Sequence, residues 1–293
     1  MIEIRDLQLL SALARHRHFA KAAEECGISQ PAFSMRIRNL EDRLGVSIVR
    51  RANRFQGLTD EGEMIVLRAR RILDDAKALE QQVQAAKGEI TGTLMLGVIP
   101  TAIAFTGRLT KHLRKAHPRI VTRIETMSAS AIQHRLDEGS LDAGVTYGDS
   151  IGTDLRQVQP LYEETYVLLA PAHMVEDTGP IPWAKVADFP LSLLVPQMQN
   201  RRILDRIFLD QGLHPDVVAE TSGFTASMVM AREGLAATVV PRVLLRSLGD
   251  LKGTKVLPLI DPVVSKPICL ATLTRDPELP TVEALRAVVT SLR

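Results

Sequence analysis

Apolar residues recur at helical spacing in three blocks across residues 4–44, and the breaks between the blocks constrain the fold more than any other feature. Leu7, Leu10, Leu13 and Ala14 mark an amphipathic helix over residues near 4–15. A second short helix fits Phe19 to Glu25, where Ala20, Ala22 and Ala23 let another helix approach closely. Gly27 is suited to a helix stop, because a positive φ costs glycine little. Ser29 then reads as an N-cap and Pro31 falls in the following first turn, where a missing N–H is harmless. The third helix runs from about Gln30 to Arg43. Phe33, Ile37, Leu40 and Leu44 form its packing stripe, with Pro31, Ser34, Met35 and Arg38 roughly opposite and Gln30 at the leading end.

A polar helix tip of this kind suits a DNA major groove. Glutamine can bond adenine bidentately, arginine can fork onto guanine, and apolar atoms can touch a thymine methyl. The whole chain carries a net charge of only +2, but its basic residues are unevenly placed. Between Gln30 and Leu58, Arg36, Arg38, Arg43, Arg50, Arg51 and Arg54 face only Glu41 and Asp42, a local surplus of +4 that would attract phosphates. Two short β-prone pieces around Ala52-Asn53 read as a hairpin, or wing. Arg51 and Arg54 near its tip are placed to reach phosphates or the minor groove.

The run Phe19-Ala20-Lys21-Ala22-Ala23, Ser29-Gln30-Pro31-Ala32-Phe33-Ser34 and Ile37-Arg38-Asn39-Leu40-Glu41 continues into Leu44-Gly45, Arg51, Arg54 and Leu58-Thr59-Asp60-Glu61-Gly62. In order and spacing it resembles the signature of LysR-type transcriptional regulators. The chain departs from that signature at Ile48-Val49, where the family usually shows Leu-Phe, and at His18, where a small residue is usual. The resemblance implies DNA contacts from Ser29, Gln30, Pro31, Ser34, Arg36, Arg38, Arg51 and Arg54. It also implies a winged helix-turn-helix over residues 1–59, mainly α, a linker helix over 60–88 and an effector-binding domain over 89–293.

The linker reading has its own support. No proline occurs from Asp60 to Lys87, and Ile65, Ala69, Ile72, Ala76, Leu79, Val83 and Ala86 alternate spacings of four and three. That heptad seam calls for a partner helix, so dimerisation is expected through Ile65, Ala69, Ile72, Ala76, Leu79 and Val83. A dimer would hold two recognition helices at a fixed separation on an interrupted inverted repeat of double-stranded DNA. The resemblance extends this to a homodimer or homotetramer acting at a promoter, with RNA polymerase among its partners.

From Thr91 the pattern changes to alternating strands and helices. Strands are expected at Thr93–Ile99, Ile120–Thr126 and Leu141–Tyr147, with helices between them, which implies a parallel sheet. A second unit follows, with strands at Thr165–Ala170, Leu191–Val195, Val217–Thr221 and Leu235–Val240 and helices at Arg201–Gln211 and Phe224–Glu233. Pro267–Leu273 and Thr281–Leu292 return a strand and a helix to the first lobe. The expected architecture is an α/β two-lobed domain like a periplasmic binding protein, the effector domain that the resemblance implies. Lobe I covers about 91–162 and 266–293 and lobe II about 163–265, with crossings near Leu161–Glu164 and Val264–Ile268.

In that architecture a small molecule sits between the lobes, near helix N-termini that favour anions. The expected lining is Pro100, Thr101, Thr126, Ser128, Tyr147, Asn200, Arg201, Arg202, Ser222 and Phe224. Thr101 and Ser128 are equally suited to capping their own helices.

An enzyme is disfavoured, since the chain has no phosphate-cradling glycine motif, nucleophile elbow or metal-spaced histidine cluster. No catalytic residue, cofactor or metal is expected. The only cysteines, Cys26 and Cys269, lack metal-ligand spacing and read as buried small hydrophobes. A peroxide sensor of the same family would need a reactive pair in the sensing domain, where Cys269 has no second cysteine. With no signal segment and no apolar run long enough for a bilayer, cytoplasmic residence without membrane attachment is expected.

Overall fold

The structure is a computed structural model that describes residues 2–51, 55–152, 156–176, 179–274 and 276–292. It divides into two compact units. The first holds Met1–Ile90 with the short segments Asp137–Ser140 and Arg275–Pro280, and the second holds the remainder.

In the first unit, α1 (Ile4–His16), α2 (Phe19–Glu25) and α3 (Gln30–Leu44) precede a hairpin of β1 (Val49–Arg51) and β2 (Phe55–Leu58). A 27-residue helix, α4 (Asp60–Ala86), follows. The turn between α2 and α3 contains Gly27 at φ +66°, the left-handed conformation expected from its place after a helix. Leu9, Leu10, Leu13, Phe33, Ile37, Leu40 and Ile48 are buried together, joined by Val66 and Ala69 of α4. Each of the larger side chains among them stabilises the unit by about 1.5–3 kcal/mol relative to exposure. Phe19 packs edge-to-face with both Phe33 and Phe55, the ring centres 6.1 Å apart in each pair, tying the hairpin to the helices.

Polar contacts fix the joints. Buried Glu41 accepts from the backbone N–H groups of Ile48 at 2.8 Å and Val49 at 3.1 Å, holding the start of the wing. Thr59 caps α4 by accepting from Gly62 N at 2.9 Å and donates to the Ser47 carbonyl at 2.6 Å. A Cβ at Gly62 would lie 2.2 Å from the Ile48 carbonyl oxygen, so only glycine permits this approach of α4 to the wing. The Thr59-Asp60-Glu61-Gly62 run is therefore the joint between wing and linker.

The second unit begins with β3 (Gly92–Val98), α5 (Ile103–Ala116), β4 (Ile120–Thr126), α6 (Ala129–Asp137) and β5 (Ala143–Tyr147). It continues through β6 (Arg156–Pro171), β7 (Ile181–Pro182), α7 (Trp183–Val186), β8 (Pro190–Leu194), α8 (Gln199–Asp210), β9 (Asp216–Thr221) and α9 (Phe224–Arg232). The closing elements are β10 (Thr238–Pro241), α10 (Arg242–Leu248), β11 (Thr254–Ile260), β12 (Ser265–Leu273) and α11 (Pro280–Ser291).

Strands β4, β3 and β5 are parallel neighbours, as the βαβαβ reading expects, and β12 joins β5 antiparallel. The crossing differs from the sequence reading. A separate strand at Thr165–Ala170 was expected, but β6 is one continuous 16-residue strand. Its first part, to Thr165, pairs with β12, and from Tyr166 onward it pairs with β10 on one edge and β11 on the other. The polar Glu163-Glu164-Thr165 stretch interrupts hydrophobicity but not the backbone ladder. The strand expected at Leu235–Val240 starts at Thr238, because Gly234 at φ +84° still belongs to the turn after α9. Elements β7, α7, α10 and β11 were not expected at all. Trp183 in α7 is fully buried, with its indole N–H donating to the Pro262 carbonyl at 3.0 Å.

Candidate DNA-binding face and effector site

On α3 the buried stripe of Phe33, Ile37 and Leu40 fixes which side chains face outward. Ser29 caps the helix by accepting from Ala32 N at 3.4 Å. Gln30, Pro31 and Arg38 are exposed and Ser34 is half-buried, with Gln30 Nε2 donating to Ser34 Oγ at 3.0 Å. That bond holds the glutamine along the helix rather than off its end. Met35 adds an apolar surface on the same outward side, 58% exposed. Arg36 is not brought to this group. It lines a surface groove with Glu3, Asp6, Asn39, Asp42 and Arg43, where Arg43 is paired with Asp6. The side chain of Arg51 and the whole of Arg54 lie outside the described residues.

Along α4 the heptad seam divides in two. Ala69 is buried and Ile65 half-buried in the core of the first unit, so these two are taken up within their own unit. Farther along, Ile72, Leu79 and Val83 are 47%, 63% and 48% exposed, with Ala76 half-buried between them.

In the second unit the expected lining separates into buried and surface residues. Pro100 and Thr101 are buried in a short 3-10 turn after β3, and Tyr147 is buried at the end of β5. Phe224 is buried in a hydrophobic cluster with Met228, Val240 and Leu244, against which Ile103 and Ala104 of α5 pack. Thr126, Arg202 and Ser222 are exposed. Ser128 accepts from Ala131 N at 3.2 Å, so its hydroxyl serves the start of α6. Arg201 is committed to Asp205 at 2.7 Å, Glu220 at 2.7 Å and the Leu194 carbonyl at 2.9 Å. Burial works against its charge, but those two carboxylates outweigh it and raise its pKa. Arg201 is thus a brace between α8 and β9 rather than an open clamp. Asn200 is 3% exposed, and neither its amide oxygen nor its nitrogen has a hydrogen-bond partner.

The sequence reading missed the centre of this region. Glu164, 1% exposed, lies on β6 two residues before Tyr166, where the strand changes partners. Tyr147 donates to its Oε1 at 2.8 Å. The hydroxyls of Thr101 and Tyr166 stand against the same carboxylate, and Tyr162 is close enough to feel its charge. Glu164 Oε2, Thr101 Oγ1, Tyr162 OH and Tyr166 OH are all buried without a well-directed hydrogen bond. Burial pushes the Glu164 carboxyl up to about 7, against the opposing pull of the Tyr147, Tyr166 and Thr101 hydroxyls. Burial and then the Glu164 charge push the Tyr147 phenol well above its usual range. Tyr162, Glu164 and Tyr166 occur at alternate positions and so share one face of β6. Ending the crossing at Glu164 in the sequence reading hid that shared face.

Residues 4–63 match the bacterial regulatory helix-turn-helix proteins of the lysR family, and residues 87–292 match the LysR substrate binding domain. The chain belongs to the LysR family. It is similar to the hydrogen peroxide-inducible genes activator of Haemophilus influenzae, 29% identical over 92% of this chain and 90% of that protein. Among solved structures it resembles a full-length OxyR variant from Pseudomonas aeruginosa at a TM-score of 0.75 and 26% identity, covering 100% of this chain and 95% of that one. It shares its fold with full-length CbnR in complex with target DNA, at a TM-score of 0.68 and 19% identity over 100% of both chains. As a LysR-family member the chain is a DNA-binding transcriptional regulator with a two-lobed α/β effector domain. No described helix is long and apolar enough to cross a membrane.

Proposed function

We propose that α3 reads an operator in the major groove while a small molecule at the lobe junction of the second unit controls that binding. The carrying observation is the outward face of α3, where capped, exposed Gln30, Pro31 and Arg38 flank Ser34 and Met35 above a fully apolar packing stripe. Gln30 and Arg38 supply base-edge readout, Met35 and Pro31 supply contacts to thymine methyls, and the backbone at the Ser29 cap holds a phosphate. The exposed stripe of Ile72, Ala76, Leu79 and Val83 supports a homodimer through paired α4 helices, assembling further into a tetramer on an interrupted inverted repeat. An effector with different affinities for two arrangements of the lobes would shift the equilibrium between them, and with it the operator affinity. In this reading the protein is cytoplasmic, acts with RNA polymerase at promoters and catalyses no reaction.

Thiol-based peroxide sensing, suggested by the names of the similar activators, has less support here. Cys26 is half-buried in the first unit and Cys269 is buried in β12 of the second. Burial pushes the Cys26 thiol up, away from the reactive thiolate.

The test is selection of duplexes from a random pool by the full-length protein, followed by fluorescence anisotropy. The reading expects an inverted repeat bound at least about 10³-fold more tightly than a scrambled duplex at the same salt concentration. A pool without an enriched sequence, or equal affinity for both duplexes, overturns it.

A further inference from the structure

The chain contains only three tyrosines, and all of them stand around the buried carboxyl of Glu164. Tyr147 already donates to Oε1, whereas Oε2, Thr101 Oγ1, Tyr162 OH and Tyr166 OH are four buried oxygens without a well-directed partner. Every one of them can accept a hydrogen bond. Phe105 of α5 closes against the Tyr162 ring at 5.6 Å, which adds an aromatic wall. Among the described residues, no basic side chain figures with the groups acting on Glu164. Lys266, its partner across the β6–β12 ladder, has its ammonium 3.5 Å from the Asp149 carboxylate. The cluster sits where β6 passes from one lobe's ladder to the other's, so a ligand held here touches the hinge itself.

Resting on the effector reading above, we propose that the effector carries a protonated nitrogen, a primary ammonium, seated on Glu164, Thr101 and Tyr166. An ammonium offers three donors and no acceptor, complementary to oxygens that keep open acceptor lone pairs around a carboxyl that is negative once ionised. It would also lie near aromatic rings, which favour cations. A carboxylate at the same position would meet Glu164 as a like charge. Helix N-termini elsewhere in the domain favour an anion, so the two ligand charges make opposite predictions about this junction.

The experiment is isothermal titration of the full-length protein with methylammonium, butylammonium and benzylammonium, and with butyrate and benzoate as matched anions. Each probe is run at about pH 6 and about pH 8. The ionisable groups facing the site are Glu164, Tyr147, Tyr162 and Tyr166, with Lys266 and Asp149 paired beside it. The raised carboxyl of Glu164 ionises within that interval, so ammonium binding should tighten about tenfold from the lower to the higher pH. Glu164→Gln should abolish that step and weaken binding at the higher pH, with Trp183 fluorescence reporting that the second unit remains folded. Tyr147→Phe keeps the carboxylate, and should retain ammonium binding with its midpoint moved to higher pH. Tighter binding of a carboxylate than of its matched ammonium overturns the proposal. So does an absence of ammonium binding, or ammonium binding unchanged in Glu164→Gln. If a carboxylate then shifts operator affinity, only the ligand charge was wrong; if no probe of either charge does, the effector reading falls with it.

Discussion

Replacing Glu164 by glutamine tests the electrostatics of the lobe junction without any ligand. The folded carboxyl titrates at about 7 instead of its ordinary 4.5, so the native state holds an extra proton between those values. A raised acid pKa gives stability that is fully present below the unfolded value and is lost as pH rises through the folded one. The ionised form is buried at 1% exposure beside Tyr147, with one oxygen unfilled, and this is the physical source of the loss. At about 1.4 kcal/mol for each unit of pKa difference, wild-type protein should lose roughly 2–3 kcal/mol between pH 5 and pH 8 from this group alone. Glutamine keeps an acceptor for Tyr147 and does not titrate. The assay is urea unfolding of both proteins at the two pH values, followed by the fluorescence of Trp183. That residue is the chain's only tryptophan and is fully buried in the second unit. The stability of Glu164→Gln relative to wild type should rise by about 2–3 kcal/mol from pH 5 to pH 8. A difference that is the same at both pH values would refute the reasoning, because it would mean that Glu164 ionises as it does in water.

Gly62→Ala should destabilise the first unit by more than about 1 kcal/mol, since its new Cβ meets the Ile48 carbonyl oxygen at 2.2 Å and must displace α4 or the wing. Circular-dichroism melting of the variant checks this, and an unchanged midpoint would contradict it. Leu79→Glu, at the most exposed position of the α4 stripe, should give monomers in sedimentation velocity at concentrations where wild type is dimeric. A fully dimeric variant would move the interface elsewhere. Ser29→Ala removes the α3 cap and should cost about 1 kcal/mol in thermal unfolding, with operator affinity falling alongside; no change in either would mean the 3.4 Å bond contributes nothing.

The N-terminal module was legible because its signals are local. Caps, a glycine stop and a 3.6-residue stripe act within a few residues of one another, and Ser29, Gly27 and Phe33 behave as their positions dictate. Arg36 shows the limit of counting charge. It has the right residue type, but it lines a surface groove that also holds Glu3 and Asp42 and not Gln30, Ser34 or Arg38. The seam on α4 was visible as a pattern, yet the pattern could not tell that Ile65 and Ala69 are consumed by their own unit, which only tertiary packing decides. The junction was least legible. Thr101, Tyr147 and Glu164 come from a turn, the end of β5 and the middle of β6, and nothing local announces that they meet. What the sequence did hold was the alternation Tyr162, Glu164, Tyr166, readable as one strand face once β6 is taken as continuous.

Operator recognition by this chain stands or falls on whether α3 discriminates between DNA sequences. Anisotropy titrations of wild type, Gln30→Ala and Arg38→Ala should be run on the selected operator and on a scrambled duplex at one salt concentration. Each variant should lose about 1–3 kcal/mol of discrimination between the two duplexes while its affinity for the scrambled one changes little. Discrimination equal to wild type in both variants would contradict the assignment of α3 as the reading helix.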